Sequence, residues 1–204
     1  LAMVLIYTLV FSKLMKARLP GLDSEMAYSI YLCVGVLAWS LFSEIVSRSM
    51  TMFLENANML KKLSFPRVCL PIIVTLSACI NFFIIFGIFT VFLILSGNFP
   101  GLIYLAILPI LIVHVAFSVG LGMILGVLNV FFRDVGQLFG ILLQFWFWLT
   151  PIVYPISIVP ESLRFLIMLN PMTYIVGAYQ SIVISTPWPY LANFLPVTLI
   201  AIAL

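Results

Sequence analysis

Between Arg67 and Arg133 the chain carries no Asp, Glu, Lys or Arg. A helix crosses the hydrocarbon of a bilayer with about 20 apolar residues, so this stretch has room for two crossings. Two more charge-free stretches follow, Val135 to Pro160 and Phe165 to Leu204. Backbone in lipid must satisfy its own hydrogen bonds, which leaves helices or closed barrels. Barrel strands alternate apolar and polar residues over short segments, and runs such as Ile80–Leu95 do not. Only 7% of the 204 residues are charged, against about 25% in a soluble domain. Lipid is therefore the solvent for most of the chain, and the expected fold class is an all-α integral membrane protein.

The polar interruptions divide the chain. Leu1 to Ser12 reads as the end of a span, and a polar loop from Lys13 to Glu25 follows, with Pro20 and Gly21 at its turn. A second span is expected over Ala27–Met52. Its Glu44 and Arg48 stand four residues apart and can pair on one helical face. Pairing near a membrane boundary lowers the cost of burying them, and either a structural ion pair or a role in transport fits. The polar connection Phe53–Pro71 begins with apolar residues every third position, Leu54, Ala57, Leu60 and Leu63, and predicts a short helix ended by Pro66.

Further spans are expected over Ile72–Leu95, Ile103–Phe131 and Val135–Tyr154, with a turn at Ser96–Gly101 and a very short connection at Arg133 and Asp134. From Pro155 to Thr186 the chain stays apolar but is broken by Pro155, Pro160, Asn170 and Pro171. Ile156–Leu169 and Met172–Ile184 are too short to span singly and read as helices that dip into the membrane or lie on it. With a last span toward Leu204, the reading is about six spans plus a re-entrant hairpin. Both ends fall inside apolar runs, so a single transmembrane domain over 1–204, cut at both ends, is expected, and no targeting signal can be judged.

Charge does not settle sidedness. The Phe53–Pro71 side has five basic residues (Arg48, Lys61, Lys62, Arg67, Arg133) and the other side four (Lys13, Lys16, Arg18, Arg164). The scattered basic residues form no nucleic-acid patch. Cys33, Cys69 and Cys79 lack metal-site spacing and read as small packing residues. His114 is the only histidine and stands inside a span, where an interhelical hydrogen bond suits it. No Gly-Lys pair exists, so the chain has no Walker phosphate loop and cannot hydrolyse ATP through one.

Two patterns remain. Gly122/Gly126 and Gly136/Gly140 are small residues four apart, which let helix backbones approach closely. They flank Arg133-Asp134 and predict a tight hairpin between the two helices that meet there. Phe145-Trp146-Phe147-Trp148, with Tyr154 beyond, reads either as an interfacial aromatic belt or as part of a pore wall. Four successive aromatics surround a helix, so some must face protein or a pore. Rings facing a pore would support the C–H faces of sugars.

Several segments together resemble the type-2 ABC permeases that export polysaccharides. Asn56-Ala57-Asn58-Met59-Leu60-Lys61-Lys62-Leu63-Ser64-Phe65-Pro66-Arg67 is similar to that family's cytoplasmic coupling segment. Leu128 to Val135 is similar to its fourth-to-fifth helix connection, and Trp148 to Pro155 with Leu169 to Tyr174 to its exit-side segment. The likeness is greatest to Wzm-type O-antigen exporters, which serve lipopolysaccharide biosynthesis. Capsule and teichoic-acid exporters are near relatives.

The resemblance implies a homodimer in the bacterial inner membrane, docked to two copies of an ABC ATPase. ATP and Mg would bind that partner and no cofactor would bind this chain, which is expected to be a transport subunit and not an enzyme. The cargo would be undecaprenyl-linked polysaccharide. The resemblance also makes 53–71 a cytoplasmic coupling segment, with Asn58, Leu60, Lys61, Lys62, Phe65, Pro66 and Arg67 meeting the ATPase. Arg133 and Asp134 are a second contact or a local ion pair. The first and fifth helices would line the conduit, with Tyr7, Phe145, Trp148 and Tyr154 touching glycan. Region 155–186 would be a periplasmic gate, and Pro151, Pro155, Asn170, Pro171 and Tyr174 are the gate residues. Two rivals are a type-2 ABC exporter of drugs or lipids, and an ion-driven secondary transporter, which would usually keep ionisable groups at mid-membrane.

Overall fold

A computed structural model of the chain describes residues 25–57, 69–156 and 159–184. Its helices are α1 (Glu25–Glu55), α2 (Cys69–Leu95), α3 (Ile107–Phe131), α4 (Asp134–Leu149), α5 (Glu161–Met168) and α6 (Pro171–Val183). A 3-10 segment, Gly101–Ala106, leads into α3. Among the described residues there is no strand. Three segments are long and apolar enough to cross a membrane: Ala27–Glu55, Cys69–Leu95 and Gly101–Phe131. A fourth crossing is possible if α5 and α6, bent by 95° at their junction, count as one broken span. The expected first and last spans lie outside the described residues, as do Tyr7 and the coupling residues from Asn58 to Arg67.

Helix ends follow local chemistry. The α2 helix begins at Cys69, before the expected Ile72, and takes Pro71 into its first turn. Proline is tolerated there because its missing N–H would have had no intrahelical partner. The expected span to Tyr154 ends early, at Leu149, because Thr150 precedes Pro151 and is extended (φ −92°, ψ 132°). A residue before proline is pushed out of the helical region in this way. The α4 helix therefore has 16 residues and reaches about 24 Å, short of the roughly 30 Å of hydrocarbon. The α1 helix runs on to Glu55, beyond the expected Met52. The turn after α2 contains Gly97 and Gly101, both at positive φ (71° and 74°), a conformation that glycine adopts without strain.

The α1 helix is the hub. In its most apolar window 72% of the residues are buried, against 28% for α2 and 33% for α3. Leu32, Phe42, Ile45 and Val46 are among its buried residues. The α2 helix buries one stripe, Val74, Ala78, Phe82, Phe86 and Phe89, at three- and four-residue steps. The α6 helix buries Met172, Ile175, Val176 and Tyr179.

The glycine pairs meet the expected α3–α4 hairpin only in part: a Cβ on Gly136 would stand 3.0 Å from the Asn129 side chain of α3. A Cβ on Gly122 would stand 2.7 Å from Cβ of Ser49, and one on Gly126 2.6 Å from the Ser49 carbonyl oxygen. These glycines seat α3 against α1 and do not seat it against α4. Gly140 has open space around it. The α3–α4 corner is held instead by Asn129, whose Oδ1 accepts from the Gly136 N–H (2.9 Å). Its Nδ2 donates to the Met50 carbonyl of α1 (2.9 Å).

The topology sorts the connections by end. Met52 near the end of α1 packs with Leu70 and Val74 at the start of α2, and Asn129 ties the α3–α4 corner to the same part of α1. The end of α1 at Glu55, the start of α2 at Cys69 and the Arg133-Asp134 corner therefore share one end of the bundle. The opposite end holds the chain break after α4, where Tyr28, near the start of α1, donates to the Val153 carbonyl (2.8 Å).

Candidate functional site

Although α1 is mostly buried, one face of it is polar and open. Ser40, Ser43, Glu44, Ser47, Arg48 and Thr51 recur at three- and four-residue steps, and none of them is buried. Polar groups in membrane helices usually face the bundle interior or a water-filled cavity. On one side this face meets α4. An open groove of about 550 Å³ between the two helices is lined by Ser40, Ser43 and Ser47 from α1 and by Gln144, Phe147 and Trp148 from α4. Hydroxyls and an amide thus stand beside aromatic rings, a surface suited to a ligand with both apolar faces and hydroxyl groups.

The aromatic cluster divides as its geometry requires. Trp146 turns inward and packs edge-on against Trp39 and Phe42 (centroids 6.4 and 5.3 Å) and against Phe139. Phe147 is half-buried against Trp39 (5.7 Å). Phe145 and Trp148 face outward, 64% and 58% exposed. Tyr154 lies beyond the end of α4, and its hydroxyl donates to the Trp148 carbonyl (3.0 Å). Of the expected glycan contacts, Trp148 lines the groove, Tyr154 is fastened to it, and Phe145 lies on the open side of α4 outside the groove lining.

At the break after α4, Asn170 joins three elements. Its Oδ1 accepts from the Met172 N–H, capping α6 (3.0 Å), and from Nε1 of Trp146 (2.8 Å). Its Nδ2 donates to the Thr150 hydroxyl (2.9 Å). Pro171 occupies the first turn of α6, where proline suits a helix start. Pro151 is buried, and its carbonyl accepts from Tyr31 of α1 (3.1 Å). Tyr174 packs half-buried against the core, and Pro155 is half-buried. Sequence reasoning missed Tyr28, Tyr31 and Gln180. The two tyrosines donate to carbonyls 120 to 125 residues away, and buried Gln180 reaches the Ile152 carbonyl at 3.4 Å.

At the other end Arg133 and Asp134 are exposed beside Phe131 and Phe132, which are also exposed. Among the described residues the one ion pair is Glu44–Arg48 at 3.2 Å, so Arg133 and Asp134 do not pair with each other. Asp134 lies in the first turn of α4, where a negative charge is favoured by the helix dipole. His114, fully buried, makes the expected interhelical contact: its Nδ1 lies 3.4 Å from the Tyr179 hydroxyl of α6. Cys33 is buried, and Cys69 and Cys79 are half-buried, all as free thiols. Among the described residues no group of His, Cys, Asp and Glu could hold a metal ion.

Comparison with known proteins places residues 1–184 in a match to the ABC-2 type transporter family. Two O-antigen export system permease proteins RfbA from Klebsiella pneumoniae are each 27% identical over 183 residues, covering 89% of this chain and 68% of theirs. An O-antigen export system permease protein RfbA from Myxococcus xanthus is 30% identical over 181 residues, covering 88% of this chain and 67% of its own.

Proposed function

This chain belongs to the ABC-2 type transporter family, and on that premise we propose that it is the membrane channel subunit of an ATP-driven exporter of lipid-linked polysaccharide, O-antigen in particular. The observation that carries the reading is the open polar face of α1 running beside exposed Trp148 of α4. A glycan presents ring faces and hydroxyls together, and this wall offers partners for both. The relatives that are O-antigen export permeases support the choice of cargo.

One wall does not make a conduit. A two-fold homodimer places a second copy of the wall opposite the first and encloses an axial path. In the assembled protein each protomer has about six spans and a re-entrant hairpin, with Tyr7 and Phe145 also lining the path. Two ABC ATPase subunits dock at the cytoplasmic end of the bundle and hold the ATP and Mg, while this chain holds no cofactor and catalyses no reaction. That end holds the end of α1, the start of α2 and the exposed Phe131, Phe132, Arg133 and Asp134. Asn58, Leu60, Lys61, Lys62, Phe65, Pro66 and Arg67 form the first contact and Arg133 with Asp134 the second. The broken segment around Asn170, at the opposite end, gates the periplasmic exit. There Pro151, Pro155, Pro171 and Tyr174 complete the gate. The assembly resides in the bacterial inner membrane as a multi-pass protein.

Replacing both Trp148 and Tyr154 with alanine tests the wall. Two lost ring contacts at about 1 kcal/mol each should slow export roughly tenfold or more. Dimer assembly should survive, because Trp148 is more than half exposed (58%). Normal export by an assembled variant would remove these rings from the path.

A further inference from the structure

The opposite edge of the polar face on α1 meets α2 through a set of four side chains. Arg48 Nη1 donates to Glu44 Oε1 (3.2 Å) and to the Ser77 hydroxyl of α2 (3.1 Å). Asn81 of α2 donates through Nδ2 to the same Glu44 oxygen (3.0 Å). The ion pair on α1 is thus bonded at both ends to α2, one turn apart. Glu44 lies eleven residues, about 17 Å, before the end of α1 at Glu55. Asn81 lies twelve residues, about 18 Å, after the start of α2 at Cys69. The set therefore lies about two to three turns inside both helices, away from their loop ends.

Charged groups at that depth are costly even when paired, and the pair is only partly covered, with Arg48 43% and Glu44 31% exposed. As a source of stability it is a poor choice, since a partly exposed ion pair contributes little. Its placement suggests a different use. The α1 and α2 helices are the two that bracket residues 56–68. Below the set they touch through Met52, Leu70 and Val74, a small apolar contact. Directional hydrogen bonds fix registry in a way that apolar contact does not.

We propose that Glu44, Arg48, Ser77 and Asn81 form an interhelical tie that makes α1 and α2 move as one body when the segment between them is pushed. They are positioning residues in this role, and act by carrying displacement from the loop end to the wall of the conduit. The inference rests on the coupling role given to residues 56–68 above.

The test is the double variant S77A/N81L, which removes both bonds from α2 and leaves the Glu44–Arg48 pair in place. In the complex with its ATPase, ATP hydrolysis should continue while polymer exported per ATP falls at least fivefold. A charge exchange, E44R/R48E, keeps an ion pair and hydrogen-bonding groups facing Ser77 and Asn81. It should recover most of the ratio lost in E44R alone, which a merely destabilised fold would not do. A second readout needs no transport: spin labels at Thr51 and Leu76 should give a narrow distance distribution in the parent chain and a broad one in S77A/N81L. An unchanged export ratio in an assembled S77A/N81L complex, or an unchanged label distribution, overturns the tie. Broadening in a protein that exports no polysaccharide with any ATPase would sustain the tie and reject the export reading.

Discussion

Replacing Gly126 with leucine is expected to abolish the folded bundle. A Cβ there would already stand 2.6 Å from the Ser49 carbonyl oxygen and 3.4 Å from the Phe53 ring. The first obstacle is backbone of the hub helix, so no rotamer change relieves it. Membrane helices associate through close packing and interhelical hydrogen bonds, without the water-driven term that holds soluble cores together. Forcing α1 and α3 apart therefore removes much of what holds them, including the Asn129–Met50 bond one turn further on. Even G126A should cost about 2–3 kcal/mol, the upper part of the range for overpacking. G140A is the control: nothing stands within 4 Å of its added Cβ, and alanine gains roughly 1 kcal/mol of helix propensity over glycine. Thermal unfolding in detergent should separate the two variants clearly. Equal tolerance of G126A and G140A would mean that α1 and α3 do not meet as described.

Asn170→Ala is the second large effect. It deletes the cap of α6, the partner of Trp146 and the donor to Thr150 together. Each lost bond costs about 1 kcal/mol and the orphaned indole N–H adds desolvation, so a loss of about 3 kcal/mol is expected. That corresponds to a melting shift of roughly 5–10 °C. Trp146 reports it directly: its emission should shift to the red as water reaches the indole. N170D keeps an acceptor for the cap and the indole and should fall between the parent and N170A. An unshifted emission and melting curve in N170A would dissolve the proposed junction.

Much of this architecture was legible in the residues. Charge-free runs located α2 and α3 to within a few residues, and the Pro and Asn breaks after Tyr154 foretold short helices where α5 and α6 lie. Local rules also explain the misses at helix ends. Thr150 before Pro151 stops α4 early, and Pro71 is absorbed into the first turn of α2.

What was not legible depends on which faces meet. Gly122 and Gly126 announced close approach without naming the partner, which proved to be α1. The serines of α1 were visible at helical spacing. A serine in a membrane helix can satisfy itself on its own backbone, as Ser43 does on the Ser40 carbonyl (3.1 Å). Only the position of α4 gives them meaning. Tyr28 and Tyr31 hold a turn more than a hundred residues away, and no local pattern encodes that. The bonding of the Glu44–Arg48 pair to α2 became clear only from the residues opposite it.

That pair also sharpens the choice of energy source, because ionisable groups within membrane helices are a feature of ion-driven carriers as well. Here each charge is matched by its partner and by a neutral group on α2, which suits a fixed tie better than a site that must take up and release an ion. The deciding measurement is transport in sealed vesicles containing the full-length protein, with and without its ABC ATPase and loaded with lipid-linked polysaccharide. Movement that requires both the ATPase and ATP, and is indifferent to proton and sodium gradients, is the predicted result. Movement without the ATPase, powered by either gradient, would contradict the account.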